Sequence, residues 1–332
     1  MTGTAPAQGL TARVMQGVGA PTMILPIGAD PHFHSMRPSD ARALGGAQLV
    51  VWIGEAHTPW LEDPIKELAR DAKVLELMGV EGLHVMTFGE GGGHDHGHDG
   101  HADGHGHKEH GHDGHADGHG HGHDGHADAH GHKEHGHDGH ADGHGHAHGD
   151  GHGDGHGHAH ADGALDTHAW LDPENTVLWL GAIADALAEL DPANAEAYRA
   201  NAAAGGEEIM AAAADAKARI SAAGDIHLVT AHDAWRYFAE AFEVEVIGAI
   251  GDSHARAPGA ARITELRDLV AEYDRVCVLT ERTTNPGLVE AMQADGQALA
   301  EPNGVLTEVG ADYIPVLLGQ VATAIEGCLA ES

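Results

Sequence analysis

Apolar residues arrive along this chain in short blocks separated by longer amphipathic stretches. Leu49–Gly54 (LVVWIG) is an unbroken apolar run closed by glycine, the pattern of a strand buried on both faces. Before it, Ser39 is a suitable N-cap for a short helix from Asp40, and Pro64 to Leu77 reads as another helix with a short apolar end. In HAWLDPENTVLWL, Asp172 and Pro173 form an N-cap followed by proline at the first helical position. Val177, Leu180, Ile183, Leu187 and Leu190 then recur at helical spacing. Asp191 and Pro192 repeat the start signal for a second helix reaching about Ala223, with Gly224 as its C-cap and Gly205–Gly206 as its weak point. Ile226–Thr230 and Arg275–Thr280 read as strands, each followed by a helix, and a last helix covers roughly Pro315 to Leu329. The alternation predicts an α/β protein with two lobes built on mostly parallel sheets. A long rigid helix joins them. The expected divisions are an N-terminal lobe over 1–172, a helical connection over 173–224 and a C-terminal lobe over 225–332.

One segment departs from this rhythm. Residues 94–160 hold 25 of the chain's 33 histidines and almost no aliphatic side chain, so they cannot build a core of their own. The unit HGHDGHAD starts at positions 96, 110, 121 and 135, a spacing too short for a solenoid, and its frequent glycines oppose helix. A disordered, metal-binding His-rich loop is expected. The formal charge of -35 extends over the rest of the chain as well. Such acidity repels phosphate backbones and argues against nucleic acid as a partner. No apolar run approaches the roughly 20 residues of a membrane span, and residues 1–20 lack a basic start followed by an apolar block. Cys277 and Cys328 form no CxxC motif; two buried thiols and one disulfide are both open from spacing alone.

Eight histidines lie outside the loop: His32, His34, His57, His84, His168, His227, His232 and His254. His32 follows Asp30–Pro31 in a turn after an apolar stretch, His168 precedes a capped helix start, and His232 follows a strand. Turns at strand ends are where α/β folds bind ligands, and three neutral imidazoles from separate loops suit zinc. His34 reads as an exposed neighbour of His32, His57 as a surface residue, His84 as lying near the loop's entry, His227 as packed beside its strand, and His254 as structural. Asp166, Asp233 and Asp252 are candidates to orient the liganding rings.

The segments PIGADPHFHSMRPSDARALGGAQLVVWIGE, HAWLDPENT and VTAHDAWRYFAE, together with an acidic His-rich insertion between the first two, resemble the solute-binding proteins of bacterial zinc-uptake ABC transporters (the ZnuA type). The resemblance implies metal ligation by His32, His168 and His232. In LAEPNG it puts Glu301 where relatives use an aspartate, a position that zinc-type members also leave to water; Glu281 is a rival carboxylate. It further implies a Cys277–Cys328 disulfide and hence the periplasm. It places Met1 within the family's first strand, so a longer precursor with a leader is expected. Function then follows as capture of Zn2+ in the periplasm and delivery to an ABC-type membrane permease, by a monomer that is not an enzyme. The loop scavenges, and a periplasmic zinc chaperone is a further candidate partner. Three imidazoles with at most one carboxylate favour zinc over manganese, while copper and nickel share the preference. Storage or chaperoning centred on the loop is the alternative. A zinc hydrolase is disfavoured because no HExxH and no general base stand beside the ligands.

Overall fold

Alternate residues of the first buried run face opposite ways, and each way meets a hydrophobic layer. In the computed structural model, which describes residues 1–88, 163–252, 258–281, 284–285, 287–288, 298–300 and 309–330, strand β1 (Leu49–Trp52) is buried throughout. Val50 and Trp52 enter a cluster with Ile24, Leu44, Leu61 and Ile65. Leu49 and Val51 enter the principal core on the other side. Two covered faces explain why the run is unbroken rather than alternating. β1 pairs in parallel with β2 (Lys73–Glu76), and Thr2 bridges it in parallel to Met23 on the far side.

Helix α1 (Ala5–Val14) follows Thr2. Helix α2 runs over Pro38–Gly45 from Arg37, two residues earlier on both counts than the Ser39 cap predicts, because Pro38 takes the first-turn position that needs no N–H donor. Helix α3 spans Pro59–Leu68 and carries Pro64 inside it. The expected helix from Pro64 to Leu77 is therefore corrected. Pro59 starts it, and its C-terminal part is the edge strand β2.

Helix α4 (Pro173–Leu190) begins as read, with Asp172 accepting a hydrogen bond from the Glu174 N–H at 2.8 Å. Leu180, Ile183 and Leu187 are buried, but Leu190 is exposed and Trp179 takes a core place instead. A single 3-10 turn, Pro192–Asn194, leads into α5 (Ala195–Ala223), which ends at Gly224. At 1.5 Å per residue α5 is about 44 Å long. Gly205 and Gly206 are contact points rather than weak points. A Cβ on Gly205 would stand 2.8 Å from Arg13 Cγ and 3.2 Å from Leu180 Cδ1, so glycine lets α1 and α4 approach the long helix.

The C-terminal sheet has the order β4-β3-β5-β6 and is parallel throughout. Its strands are β3 (His227–His232), β4 (Glu245–Gly251), β5 (Val276–Leu279) and β6 (Ala298–Ala300). Leu228, Cys277 and Leu279 face the principal core, whereas Val229, Val276 and Val278 face a second layer with Leu266 and Val270. Helices α6 (Arg236–Phe242) and α7 (Ala260–Val270) connect strands, and α8 (Tyr313–Ala330) closes the chain against α5 and β5. Cys277 of β5 and Cys328 of α8 are joined in a disulfide with Cα atoms 6.0 Å apart. The described residues fall in one compact unit. The His-rich loop, His254 and Glu301 lie outside the described residues.

Candidate metal centre

Two short sequences of the form Asp-x-His build the floor of the site in the same way. Asp30 Oδ1 accepts the backbone N–H of His32 at 2.8 Å, and Asp166 Oδ1 accepts that of His168 at 3.0 Å. Each aspartate folds its own turn two residues on, which is the local reason these histidines sit in turns. Trp60 of α3 secures the first turn by donating from its indole N–H to Pro31 O at 2.7 Å. His168 stands at the start of the 3-10 turn Ala169–Leu171. His32 and His168 are 5% and 3% exposed, a burial uncommon for histidine.

His232 arrives from the other sheet as the last residue of β3. Its ring centroid lies 5.3 Å from that of His168. Glu281, two residues beyond β5, places Oε1 2.9 Å from His232 Nδ1. Burial by itself lowers the His232 pKa, but the Glu281 carboxylate more than reverses this and leaves it raised. Burial likewise pushes Glu281 up, and the neighbouring His232 brings it below the ordinary carboxylate value. So Glu281, not Asp233, is the carboxylate that orients His232; Asp233 is engaged with Arg236 at 3.2 Å. Asp166 fills the expected role for His168, with Oδ1 2.7 Å from Nδ1.

His32, His168, His232 and Glu281 line one cavity of about 440 Å³, together with Trp170, Trp235 and Tyr313. Behind that wall lies a histidine that sequence reasoning misplaced. His57 is 1% exposed, not a surface residue. Its ring is 5.2 Å from His32 and 5.7 Å from His168, and a nitrogen from each of the three rings falls within 4.8 Å of the other two. Its place in GEAHTPW near a helix start suggested a surface position. The overlooked signal was position: His57 closely follows β1, at the strand end where α/β folds gather ligands. Burial, then the nearby imidazoles of His168, His32 and His232, holds its pKa well below the ordinary value, so it stays neutral.

The remaining histidines sit elsewhere. His34 stacks edge-on against Trp60 at 4.9 Å. His84 places Nδ1 3.0 Å from Asp172 Oδ2, and His227 lies 4.3 Å from the Tyr273 ring.

Parallel sheets whose strand ends face one cavity, with clustered imidazoles in its wall, define a metal-ion-binding protein of the solute-binding class. The family model for ZnuA, the periplasmic zinc-uptake complex component A, matches residues 1–327. The high-affinity zinc uptake system protein ZnuA of Brucella suis biovar 1 is 35% identical, covering 98% of this chain and 90% of that protein. Its counterpart in Paracoccus denitrificans is 36% identical, covering 96% and 88%. Among solved structures, a crystal structure of ZnuA superposes with a TM-score of 0.66 at 19% identity, covering 99% of this chain and 97% of that one. The periplasmic zinc-binding protein TroA from Treponema pallidum does so with a TM-score of 0.67 at 16% identity, covering 99% and 97%. This chain belongs to the ZnuA family of zinc-uptake components.

Proposed function

We propose that this protein captures Zn2+ in the periplasm through His32, His168 and His232 and delivers it, as a monomer, to the membrane permease of an ABC transporter. The observation that carries the reading is the convergence of three imidazoles from separate segments on one cavity wall. Two of them, His168 and His232, have Nδ1 beside a carboxylate oxygen. A carboxylate at Nδ1 fixes the tautomer and leaves Nε2 as the lone-pair donor. An imidazole set of this kind suits zinc better than manganese, which takes more oxygen ligands. Glu301, directly after β6 in sequence, belongs to the proposal as the carboxylate at the fourth position. So does the division into lobes over 1–172 and 225–332 about the helical connection 173–224. The His-rich loop acts as the gatherer, supplying many weaker sites tethered to the holder. A periplasmic zinc chaperone would be a donor to either element.

Competition titration against a zinc chelator tests this. His32→Ala, His168→Ala and His232→Ala should each abolish tight binding of a single ion while leaving the weaker capacity of the loop in place. Undiminished tight binding in all three variants would mean that the loop is the principal site and the function is storage.

A further inference from the structure

The structure assigns His57 as a fourth imidazole ligand, completing an all-nitrogen zinc shell with His32, His168 and His232. This inference rests on reading the cavity wall as the zinc site, and it replaces Glu301 at the fourth position.

Three observations carry it. The first is geometry. Zinc binds imidazole nitrogen at about 2.0–2.1 Å in a tetrahedral arrangement, which sets the ring centroids of any two ligands about 5 Å apart. The centroid separations are 5.2 Å for His32–His57, 5.7 Å for His57–His168, 6.0 Å for His32–His168 and 5.3 Å for His168–His232. His57 fits this spacing to both His32 and His168, the three whose ring nitrogens lie within 4.8 Å of one another, and His232 approaches the trio through His168.

The second is orientation. His57 Nδ1 lies 3.2 Å from Thr167 Oγ1. With Nδ1–H donating to that hydroxyl, Nε2 carries the free lone pair. His168 Nδ1 stands 2.7 Å from Asp166 Oδ1, and His232 Nδ1 stands 2.9 Å from Glu281 Oε1. The buried tripeptide Asp166-Thr167-His168 thus does three things. Asp166 orients His168, Thr167 orients His57, and His168 provides a ligand.

The third is the burial of an imidazole with no other evident task. His57 is enclosed against the Trp170 ring at 5.1 Å, a place an apolar side chain would fill without cost.

The consequence is a shell in which three of four ligands come from the segments around the N-terminal sheet and only His232 from the C-terminal one. Metal would be held by the first three before His232 completes the set. A neutral, all-imidazole shell also discriminates further against manganese.

X-ray absorption on the full chain at about half an equivalent of zinc reports the tight site, because the weaker loop sites compete poorly there. Four imidazoles and no carboxylate are expected, falling to three in His57→Leu, with affinity by chelator competition reduced on the order of 100-fold or more. Three imidazoles plus a carboxylate in the wild type, or a His57→Leu protein that keeps its affinity, overturns the assignment. The wild-type spectrum decides even if His57→Leu does not fold. Loss of the tight site in His32→Ala with none in His57→Leu defeats this inference alone. Retention in both defeats the reading of the cavity itself.

Discussion

His57, His232 and Glu281 bury titratable groups side by side, and their shifts oppose one another with pH. The unfolded chain protonates His57 near the ordinary value of about 6.5, while the folded chain does so only well below it. Between these values the unfolded state binds more protons, so the stability held by neutral His57 is lost as pH falls through that window. His232 has the reverse sign. Its raised pKa contributes stability that is full below the ordinary histidine value and is lost as pH rises through the folded one. The lowered pKa of Glu281 contributes above the ordinary carboxylate value and is lost as pH falls through the folded one. Bulk melting curves mix these effects with protonation of the His-rich loop, but a difference between variants separates them. Thermal unfolding of wild type and His57→Leu with a metal chelator present should give a stability difference that shifts in favour of wild type between about pH 5 and pH 7. A difference independent of pH would mean that the His57 shift is absent. The same residues mark what was legible at this scale. His32 and His168 stand out because each Asp-x-His turn is written locally. His57 does not, because its burial is supplied by Thr167, Trp170 and two other imidazoles distant in sequence.

Helix contacts decide how firmly the site is framed, and the tightest glycine contact among the described residues is that of Gly9 in α1 with the start of α8. A Cβ built on Gly9 would lie 2.4 Å from Tyr313 Cβ and 3.0 Å from its Cγ. Tyr313 Cβ is fixed to the backbone at the first residue of α8 and cannot swing aside, so a methyl group there must push the helices apart. Gly9→Ala should therefore destabilise the protein by about 1–3 kcal/mol despite alanine's better helix propensity. Because Tyr313 also lines the cavity, zinc affinity should weaken as well. Chemical denaturation and a competition titration measure the two effects; an unchanged midpoint would show that the contact yields. Helices with strong end signals were readable in advance, as α4 and α5 were from Asp172–Pro173 and Gly224. Elements lacking such signals were not. β4 is diluted by Gly248 and Gly251, β6 has only three residues, and β2 alternates at an edge instead of forming an apolar block. Pro64 looked like a helix start because proline favours first turns, but Pro59 precedes it and captures that role.

Across the whole molecule, the chain departs from the fold and returns to it at one seam. Thr87 and Leu165 form an antiparallel bridge. Phe88 N–H donates to Ala164 O at 2.8 Å, and Gly163 N–H donates to Phe88 O at 2.7 Å. Just inside this seam, the Tyr237 hydroxyl of α6 accepts from Met86 N–H and donates to Asp166 O, both at 2.9 Å. That ties the C-terminal lobe to the segment that carries Thr167 and His168. Burial pushes the Tyr237 pKa up to about 12, so the hydroxyl remains a donor at any working pH. The two ends of the inserted segment are therefore held together by residues that do not belong to it. Replacing 94–160 with a short glycine linker should leave the fold and His32, His57, His168 and His232 in place. It removes 25 imidazoles, and with them the weak capacity for zinc. Contributions from separate sites add independently, so the tight dissociation constant should stay within about twofold of wild type. The loading rate at limiting zinc should fall, because a tethered reservoir raises local supply without changing the contacts of the holder. Stopped-flow loading, stoichiometry and chelator competition on the same preparation separate these quantities. Unchanged loading with reduced stoichiometry would reduce the loop to an incidental binder. Loss of the tight site would mean that gatherer and holder are one.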